Sequence, residues 1–258
     1  MADWNPSLYL QFESERTRPA EELLARIFHP SPRHISDLGC GPGNSTELLH
    51  RRYPTAQTTG VDSSKAMLEK AAKRLPGCHF VEADIGAWRP DVPQDVIYAN
   101  ASLQWVPHHE VLMSHLLDQL ADGGVLAFQV PDNLLQPSHA LMCKVALEGE
   151  WKGRYGEDAL SRKKLLTTEE YYDLMASRGC RVDVWRTTFY HVMPSVAAIV
   201  EWVKSTGLRP FLNPLNEEEQ ALFLERYLAE LTQAYGVRSD GSVLLAFPRL
   251  FVVASKVA

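Results

Sequence analysis

A glycine-rich turn between an apolar segment and a helical pattern constrains this chain more than any other feature. The turn reads DLGCGPG over residues 37–43 and continues from the end of the predicted strand His34–Leu38. Glycine has no Cβ and tolerates positive φ, so a turn of this kind lets the backbone approach a ligand closely. The position between a strand and a helix therefore predicts a ligand site at the carboxyl end of a strand.

The spacing of the glycines argues against a dinucleotide site. A nicotinamide-dinucleotide loop reads G-x-G-x-x-G, whereas the sixth position counted from Gly39 is Asn44. Pro42 also removes one N–H donor that a pyrophosphate would use. The pattern D-x-G-x-G-x-G thus disfavours an oxidoreductase of that class.

Short apolar runs alternate with helical patterns throughout the first half of the chain. The predicted strands are 34–38, 57–61, 79–83, 95–99 and 125–130, and the predicted helices are 45–53, 64–75 and 108–120. This alternation predicts βαβ units with right-handed crossovers, and so an α/β fold with a doubly wound, mostly parallel sheet.

The second half of the chain no longer alternates strand and helix regularly. Helices are predicted at 138–148, 168–177, 196–205 and 217–235, and strands at 181–191 and 243–256. Thr167 with Glu170 predicts a capping box, and Asn216 predicts an N-cap. Pro248 predicts either a bulge or a bend in an edge strand.

We expect a single domain over residues 1–258 with four parts. These are a helical N-terminal cap at 1–30, a cofactor-binding half at 31–131, a helical and loop insertion at 132–166, and a helical substrate cap at 195–240. The last segment separates two predicted strands by far more residues than a hairpin needs, and insertions of that length often cover binding sites.

Polar residues end the predicted strands. Asp62 lies 19 residues after Gly43, where a carboxylate accepts both hydroxyls of a ribose. Asp84 and Ile85 follow the next strand, and Asn100 ends the fourth. Because parallel strands carry their ligands at their carboxyl ends, we expect these residues to lie close together.

Composition excludes several classes of function. Lys plus Arg is 26 and Asp plus Glu is 32, which gives a net charge of -6 and disfavours a nucleic-acid partner. The four cysteines form no C-x-x-C pair, so reduced thiols are expected, and no metal-ligand spacing is present. No apolar run approaches the roughly 20 residues of a membrane span, and no secretory signal is visible. We expect a cytoplasmic protein, a monomer or weak homo-oligomer, without membrane or nucleic-acid partners.

The glycine turn, GVDSS at 60–64, ADI at 83–85 and NASLQW at 100–105 together resemble the S-adenosylmethionine-dependent methyltransferases of Rossmann-like fold. The resemblance implies an antiparallel last strand, S-adenosyl-L-methionine as cofactor and S-adenosyl-L-homocysteine as product. Asp37 would hold the cofactor's ammonium group, Asp62 its ribose, and Asp84 its adenine. The implied cofactor-binding residues are Asp37, Gly39, Cys40, Gly41, Gly43, Asp62, Ser63, Met67, Asp84, Ile85, Asn100 and Ala101. Cys40 is expected to pack rather than to act as a nucleophile.

Further segments are similar to the trans-aconitate 2-methyltransferases. They are DWNPSLYLQF at 3–12, RTRPAEELL at 16–24, NASLQWV at 100–106, TGLRPFL at 206–212 and FPRLF at 247–251. This resemblance implies methyl transfer to one carboxylate of a small tricarboxylate, trans-aconitate, with a monomethyl ester as product.

A carboxylate acceptor needs no general base, because it is already ionised at pH 7. No catalytic residue is therefore assigned, and positioning should supply the catalysis. Arginine binds carboxylates bidentately, which makes it the expected ligand for the non-reacting carboxylates. The substrate-binding candidates are Tyr9, Gln11, Gln104, Trp105, Arg154, Arg209 and Arg249.

Three alternatives stay open at this point. The acceptor of a methyltransferase could instead be a phenol, an amine or a carbon atom. A dinucleotide-dependent oxidoreductase is a remote second reading, which Asn44 disfavours. A non-catalytic adenosine-binding module is the third, and the long segment at 195–240 argues against it.

Overall fold

The computed structural model describes residues 13–156, 165–204 and 206–257, without the side chains of residues 13–16. The substrate candidates Tyr9 and Gln11 lie outside the described residues. The chain divides into two compact units. Unit 1 holds the described residues up to Pro131, with Leu165–Thr187 and residues from Leu250 onward, and unit 2 holds Asp132–Lys164 and Thr188–Arg249.

Strands and helices alternate along the first half. The elements are α1 Glu13–Ala25, β1 His34–Leu38, α2 Asn44–Arg52, β2 Gln57–Asp62, α3 Lys65–Arg74, β3 His79–Glu82, β4 Gln94–Asn100, α4 His109–Asp118 and β5 Leu120–Pro131. A 3₁₀ turn at Leu103–Trp105 connects β4 to α4. The helix predicted at 108–120 ends earlier than expected, because β5 already begins at Leu120, ahead of the two glycines.

The second half is mainly helical between its strands. Its elements are α5 Pro137–Glu148, α6 Thr168–Ala176, β6 Cys180–Met193, α7 Val196–Lys204, α8 Arg209–Leu212, α9 Glu217–Ala234 and β7 Val243–Lys256. Both predicted helix starts are confirmed. Thr167 and Glu170 form a capping box at α6, and Asn216 forms one with Glu219 at α9.

The seven strands form one sheet in the order β3-β2-β1-β4-β5-β7-β6. The pairs β1–β2, β1–β4, β2–β3 and β4–β5 are parallel, and the last strands are antiparallel. The predicted fold class is confirmed. The edge-strand interpretation of Pro248 is wrong, since β7 lies between β5 and β6, and β6 is the edge.

Unit 1 buries both faces of its sheet. Side chains alternate along β4, so Ile97 and Ala99 pack into one apolar cluster with α4 and α6. On the opposite face the buried Tyr98 donates its hydroxyl to the Ala20 carbonyl of α1 at 2.7 Å. The helices therefore cover the two faces of the sheet and leave the carboxyl ends of its central strands uncovered.

Unit 2 has its own core between α5 and α9. The Tyr227 hydroxyl donates to the Ser138 carbonyl at 2.5 Å, which ties the two helices together. The rings of Trp151 and Phe223 pack 5.3 Å apart in the same core. Within the described residues, no helix combines the length and apolarity needed to cross a membrane.

Candidate functional site

The glycine turn runs from the end of β1 along the end of β2. The N–H groups of Gly39 and Cys40 both donate to the Val61 carbonyl, at 2.7 and 3.0 Å. Gly41 and Gly43 have φ values of 54° and 94°, and Gly43 is the N-cap of α2. The left-handed backbone explains why glycine recurs at this turn.

Gly39 also has a positive φ, of 72°, and a close contact gives a second reason for glycine at this position. A Cβ at this position would lie 2.3 Å from the Ser102 Cβ, well inside van der Waals contact. The Ser102 hydroxyl in turn donates to the Leu38 carbonyl at 2.6 Å. The segment after β4 therefore packs directly against the glycine turn, and this close approach leaves no room for a side chain.

Asp62 joins the glycine turn to α3. One carboxylate oxygen accepts the Gly41 N–H at 2.9 Å, and the other accepts the Ser64 N–H at 2.9 Å. Ser63 beside it is exposed, whereas Met67 in α3 is buried. The spacing that pointed to Asp62 in the sequence thus places a carboxylate against the turn.

Asp37 is fully buried at the start of the turn. Its Oδ2 accepts the hydroxyls of Ser45 and Thr46, both at 2.7 Å, while its Oδ1 has no hydrogen-bond partner among the described residues. Burial raises the pKa of Asp37 to about 6, and the negative charge of the nearby Asp62 makes a smaller contribution in the same direction. The hydrogen bonds from the two hydroxyls act in the opposite direction and lower this pKa. A buried carboxylate oxygen without a partner is the acceptor that a cationic group requires.

A cleft in unit 1 opens beside these residues. Its lining residues are Thr17, Ala20, Gly39, Cys40, Pro42, Asn44, Ser45 and Asn100. The predicted Gly39, Cys40 and Asn100 are therefore brought together. Sequence reasoning missed the two residues from α1, although the segment that contains them carried part of the resemblance.

The adenine-side candidates lie at the end of β3. Asp84 is exposed, and its Oδ1 accepts the Gly86 N–H at 2.7 Å. Ile85 packs against the apolar cluster of unit 1, and its Cδ1 lies 3.5 Å from where a Gly39 Cβ would be. A short turn thus presents Asp84 to solvent beside the glycine turn.

The end of β4 has an unusual backbone. Asn100 accepts a hydrogen bond from the Gln129 amide at 2.6 Å. Ala101 follows with φ 55°, a left-handed conformation that costs a non-glycine residue energy. The predicted Ala101 is thus held in a strained turn, a feature that clusters at functional sites.

Cys40 is a poor nucleophile in this environment. Burial, followed by the negative charges of Asp37 and Asp62, raises the pKa of its thiol far above the ordinary value. The thiolate is the reactive form, so the residue packs in the turn and does not react. Among the described residues, no group of three or more His, Cys, Asp or Glu side chains is placed to hold a metal ion.

Two substrate candidates follow β4 in the 3₁₀ turn. The Gln104 amide donates to the Ala101 carbonyl at 2.7 Å, which braces the strained backbone. The Trp105 side chain is half exposed, at 50%. Gln104 is therefore fixed in place, and Trp105 presents much of its ring to solvent.

The three arginine candidates belong to unit 2 and have different environments. Arg154 is exposed and forms an ion pair with Glu219 at 2.7 Å. Arg209 is half-buried at the start of α8. Arg249 is only 4% exposed, and its guanidinium lies 4.9 Å above the Phe247 ring. Sequence reasoning did not distinguish these environments.

The fold and the site together define a class of protein. A doubly wound sheet with a glycine turn, an acid at the end of β2 and another just after β3 is the arrangement of a methyltransferase. The family model for a methyltransferase domain matches residues 12–209. The chain also aligns with a Yersinia pestis protein named trans-aconitate 2-methyltransferase, at 60% identity over 98% of both chains. The chain belongs to the trans-aconitate 2-methyltransferase family within the methyltransferases.

Solved structures agree on the fold. The YcgJ protein of Bacillus subtilis is similar with a TM-score of 0.60 and 12% identity, over 93% of this chain and 99% of that one. A phosphoethanolamine N-methyltransferase 2 of Haemonchus contortus, in complex with phosphomonomethylethanolamine and S-adenosylhomocysteine, has a TM-score of 0.56 and 15% identity. The match covers 93% of this chain and 53% of that one.

Proposed function

We propose that this protein transfers a methyl group from S-adenosyl-L-methionine to a carboxylate of trans-aconitate and forms the monomethyl ester. The name of the Yersinia pestis relative supports this substrate, since the alignment spans nearly both chains. The structural observation that carries the cofactor part of the proposal is the buried Asp37, whose Oδ1 has no hydrogen-bond partner among the described residues. It is an acceptor for a cation, and the other oxygen of Asp37 is bonded to Ser45, which lines the cleft.

The residues of unit 1 fit S-adenosyl-L-methionine. Asp37 would accept the ammonium group, and Asp62 would accept the ribose hydroxyls while its bond to Gly41 holds the turn. Asp84 would accept from the adenine amino group, the backbone N–H of Ile85 would donate to the adenine ring, and Asn100 would bind the methionine portion. These roles follow the chemistry of the donors and acceptors, since each named group matches a polar group of the ligand.

The proposed reaction needs positioning rather than proton transfer. The cofactor supplies a methyl group on a positively charged sulfonium, and the acceptor carboxylate is already ionised at neutral pH. Holding both reactants aligned provides much of the rate enhancement in such a displacement. The chain's residues therefore act by binding and orienting, and none needs to remove a proton.

Arginine side chains would recognise the other two carboxylates. We favour Arg249, because its buried guanidinium is stacked on Phe247 and is already ordered in the free protein. Binding a carboxylate would then cost little further conformational entropy. Arg209 is the second choice. Arg154 is engaged with Glu219 and is mostly exposed, so its contribution should be smaller.

Methyl transfer from isotopically labelled S-adenosyl-L-methionine tests the proposal. The acceptors are trans-aconitate and a panel of phenols, amines and carbon nucleophiles. Labelled product with trans-aconitate that loses its methyl group in mild alkali is the expected result, because esters hydrolyse there. A base-stable product would assign another acceptor class. Binding of S-adenosyl-L-homocysteine without turnover of any acceptor would favour the alternative function of a non-catalytic adenosine-binding module.

A further inference from the structure

His109 begins α4 beneath the strained segment that follows β4. Its Nε2 lies 2.9 Å from the Leu103 carbonyl oxygen, and its Nδ1 lies 2.6 Å from the Tyr171 hydroxyl. All three residues are buried, with His109 only 5% exposed. The side chain thus connects α6 to the 3₁₀ turn.

The partners fix the tautomer of His109. A carbonyl oxygen can only accept, so Nε2 carries the proton and donates to Leu103. Nδ1 then has a lone pair, to which the Tyr171 hydroxyl donates. This gives a directed chain of two hydrogen bonds, from Tyr171 through His109 to the backbone of the turn.

The turn that receives this chain is the one with the unusual backbone. Ala101 and His108 are the non-glycine residues with positive φ in the described part of the chain, at 55° and 56°, and they bracket the turn. Such conformations persist only when surrounding contacts hold them. Asn100, which lines the cleft, immediately precedes the turn, and Ser102 within the turn packs on Gly39.

We infer that His109 and Tyr171 are positioning residues that hold the turn 101–105 in the geometry needed to present Asn100, Gln104 and Trp105 to the reactants. Neither residue is required to touch cofactor or substrate, since both act through the Leu103 carbonyl. This inference rests on the proposed function for its kinetic consequences. Its structural consequence, an ordered turn, does not depend on which acceptor is methylated.

Tyr171→Phe removes the hydroxyl and keeps the ring, which packs 5.3 Å from Phe128. Tyr172→Phe is the matched control, because the neighbouring tyrosine is 51% exposed. We expect kcat/KM for trans-aconitate to fall about tenfold in Tyr171→Phe and to stay within twofold in the control. Affinity for S-adenosyl-L-homocysteine measured by calorimetry should fall less than kcat/KM.

Amide hydrogen exchange supplies the readout that is independent of the substrate. Peptides covering residues 101–107 should exchange faster in Tyr171→Phe, while those of β1 and β5 keep the wild-type rate. Unchanged exchange in the turn would overturn the inference, and so would equal acceleration throughout unit 1. If hydrogen exchange shows an ordered turn in the wild-type protein, but that protein does not methylate trans-aconitate, only the proposed function is refuted.

A second pair of variants covers the case in which Tyr171→Phe fails to fold. His109→Gln supplies an amide donor for the Leu103 carbonyl, whereas His109→Leu supplies bulk without a donor. The glutamine variant should keep several-fold more activity and slower exchange in the turn than the leucine variant. Equal behaviour of the two would show that His109 only fills space.

Discussion

The carboxylate of Asp62 accepts the backbone N–H of Gly41 at 2.9 Å, so the end of β2 holds the middle of the glycine turn. The two residues lie 21 positions apart in the chain. The Asp62 side chain is therefore both the proposed ligand of the ribose and a contact that stabilises the glycine turn. Loss of its charge should affect the turn and the ligand together.

Asp62→Asn should weaken binding of S-adenosyl-L-homocysteine about tenfold to a hundredfold, because hydrogen bonds to a charged acceptor contribute about 1.5–3 kcal/mol. Titration calorimetry measures the change. Asp122→Asn serves as the control, since that side chain is 90% exposed. Unaltered affinity in Asp62→Asn would remove this residue from the ribose site.

Gly39→Ala and Gly41→Ala should differ sharply in stability. Both positions have positive φ, at 72° and 54°, so each alanine costs about 1–2 kcal/mol of backbone strain. At Gly39 the new Cβ would also meet Ser102, whereas nothing lies within 4 Å at Gly41. Overpacking should add about 1–3 kcal/mol at Gly39 alone.

Urea unfolding of the two variants gives the comparison directly. A lower midpoint for Gly39→Ala than for Gly41→Ala is the expected order. Equal midpoints would mean that the contact between the glycine turn and Ser102 relaxes at no cost.

Much of this site follows from local sequence pattern. Apolar runs alternating with helical patterns located the strands of the first half along the chain, and the spacing from Gly43 to Asp62 located an acid beside the turn. Both depend on one βαβ unit, whose geometry varies little between proteins. The prediction that strands carry polar residues at their carboxyl ends likewise depends on the geometry of the βαβ unit.

Other parts depend on contacts that no local pattern encodes. Ser45 and Thr46 reach Asp37 only because α2 starts immediately after the left-handed Gly43 and folds back over β1. The helix α1 lines the cleft through Thr17 because Tyr98 holds it on the sheet. The burial of Arg249 likewise results from packing in unit 2. The roles of the site residues toward ligands stay predictions.

Asp37 should make the stability of the free protein depend on pH. Burial raises its pKa from the ordinary 3.8 to about 6, so the folded protein binds more protons than the unfolded chain between these values. Stability therefore falls as pH rises through this window, by about 3 kcal/mol in total from this group. The loss is nearly complete about one pH unit above the folded pKa and is constant beyond that.

Asp37→Asn isolates this contribution. The amide oxygen still accepts from Ser45 and Thr46, but the side chain no longer titrates. Urea midpoints between pH 4 and pH 7 should show a shallower decline in the variant than in the wild type. The same slope in both proteins would assign the pH dependence to other groups.

Cofactor binding should show the opposite trend with pH. A cationic ammonium group favours ionised Asp37, so affinity for S-adenosyl-L-homocysteine should rise from pH 4 through the pKa of about 6 and level off about one pH unit above it. Calorimetry in buffers of different ionisation enthalpy would detect the proton released on binding. An affinity that rises equally in Asp37→Asn would contradict the ammonium role.

Arg249→Lys tests the proposed carboxylate ligand with the charge retained. Lysine lacks the planar fork that binds a carboxylate bidentately, so the KM for trans-aconitate should rise about tenfold. Arg238→Lys is the control in unit 2, because that arginine is exposed and bonds only to the Gly236 carbonyl among the contacts described for its side chain. Affinity for S-adenosyl-L-homocysteine should stay within twofold in both variants. A loss of cofactor affinity equal to the rise in KM would show that Arg249 supports the fold, since a substrate ligand affects only the acceptor.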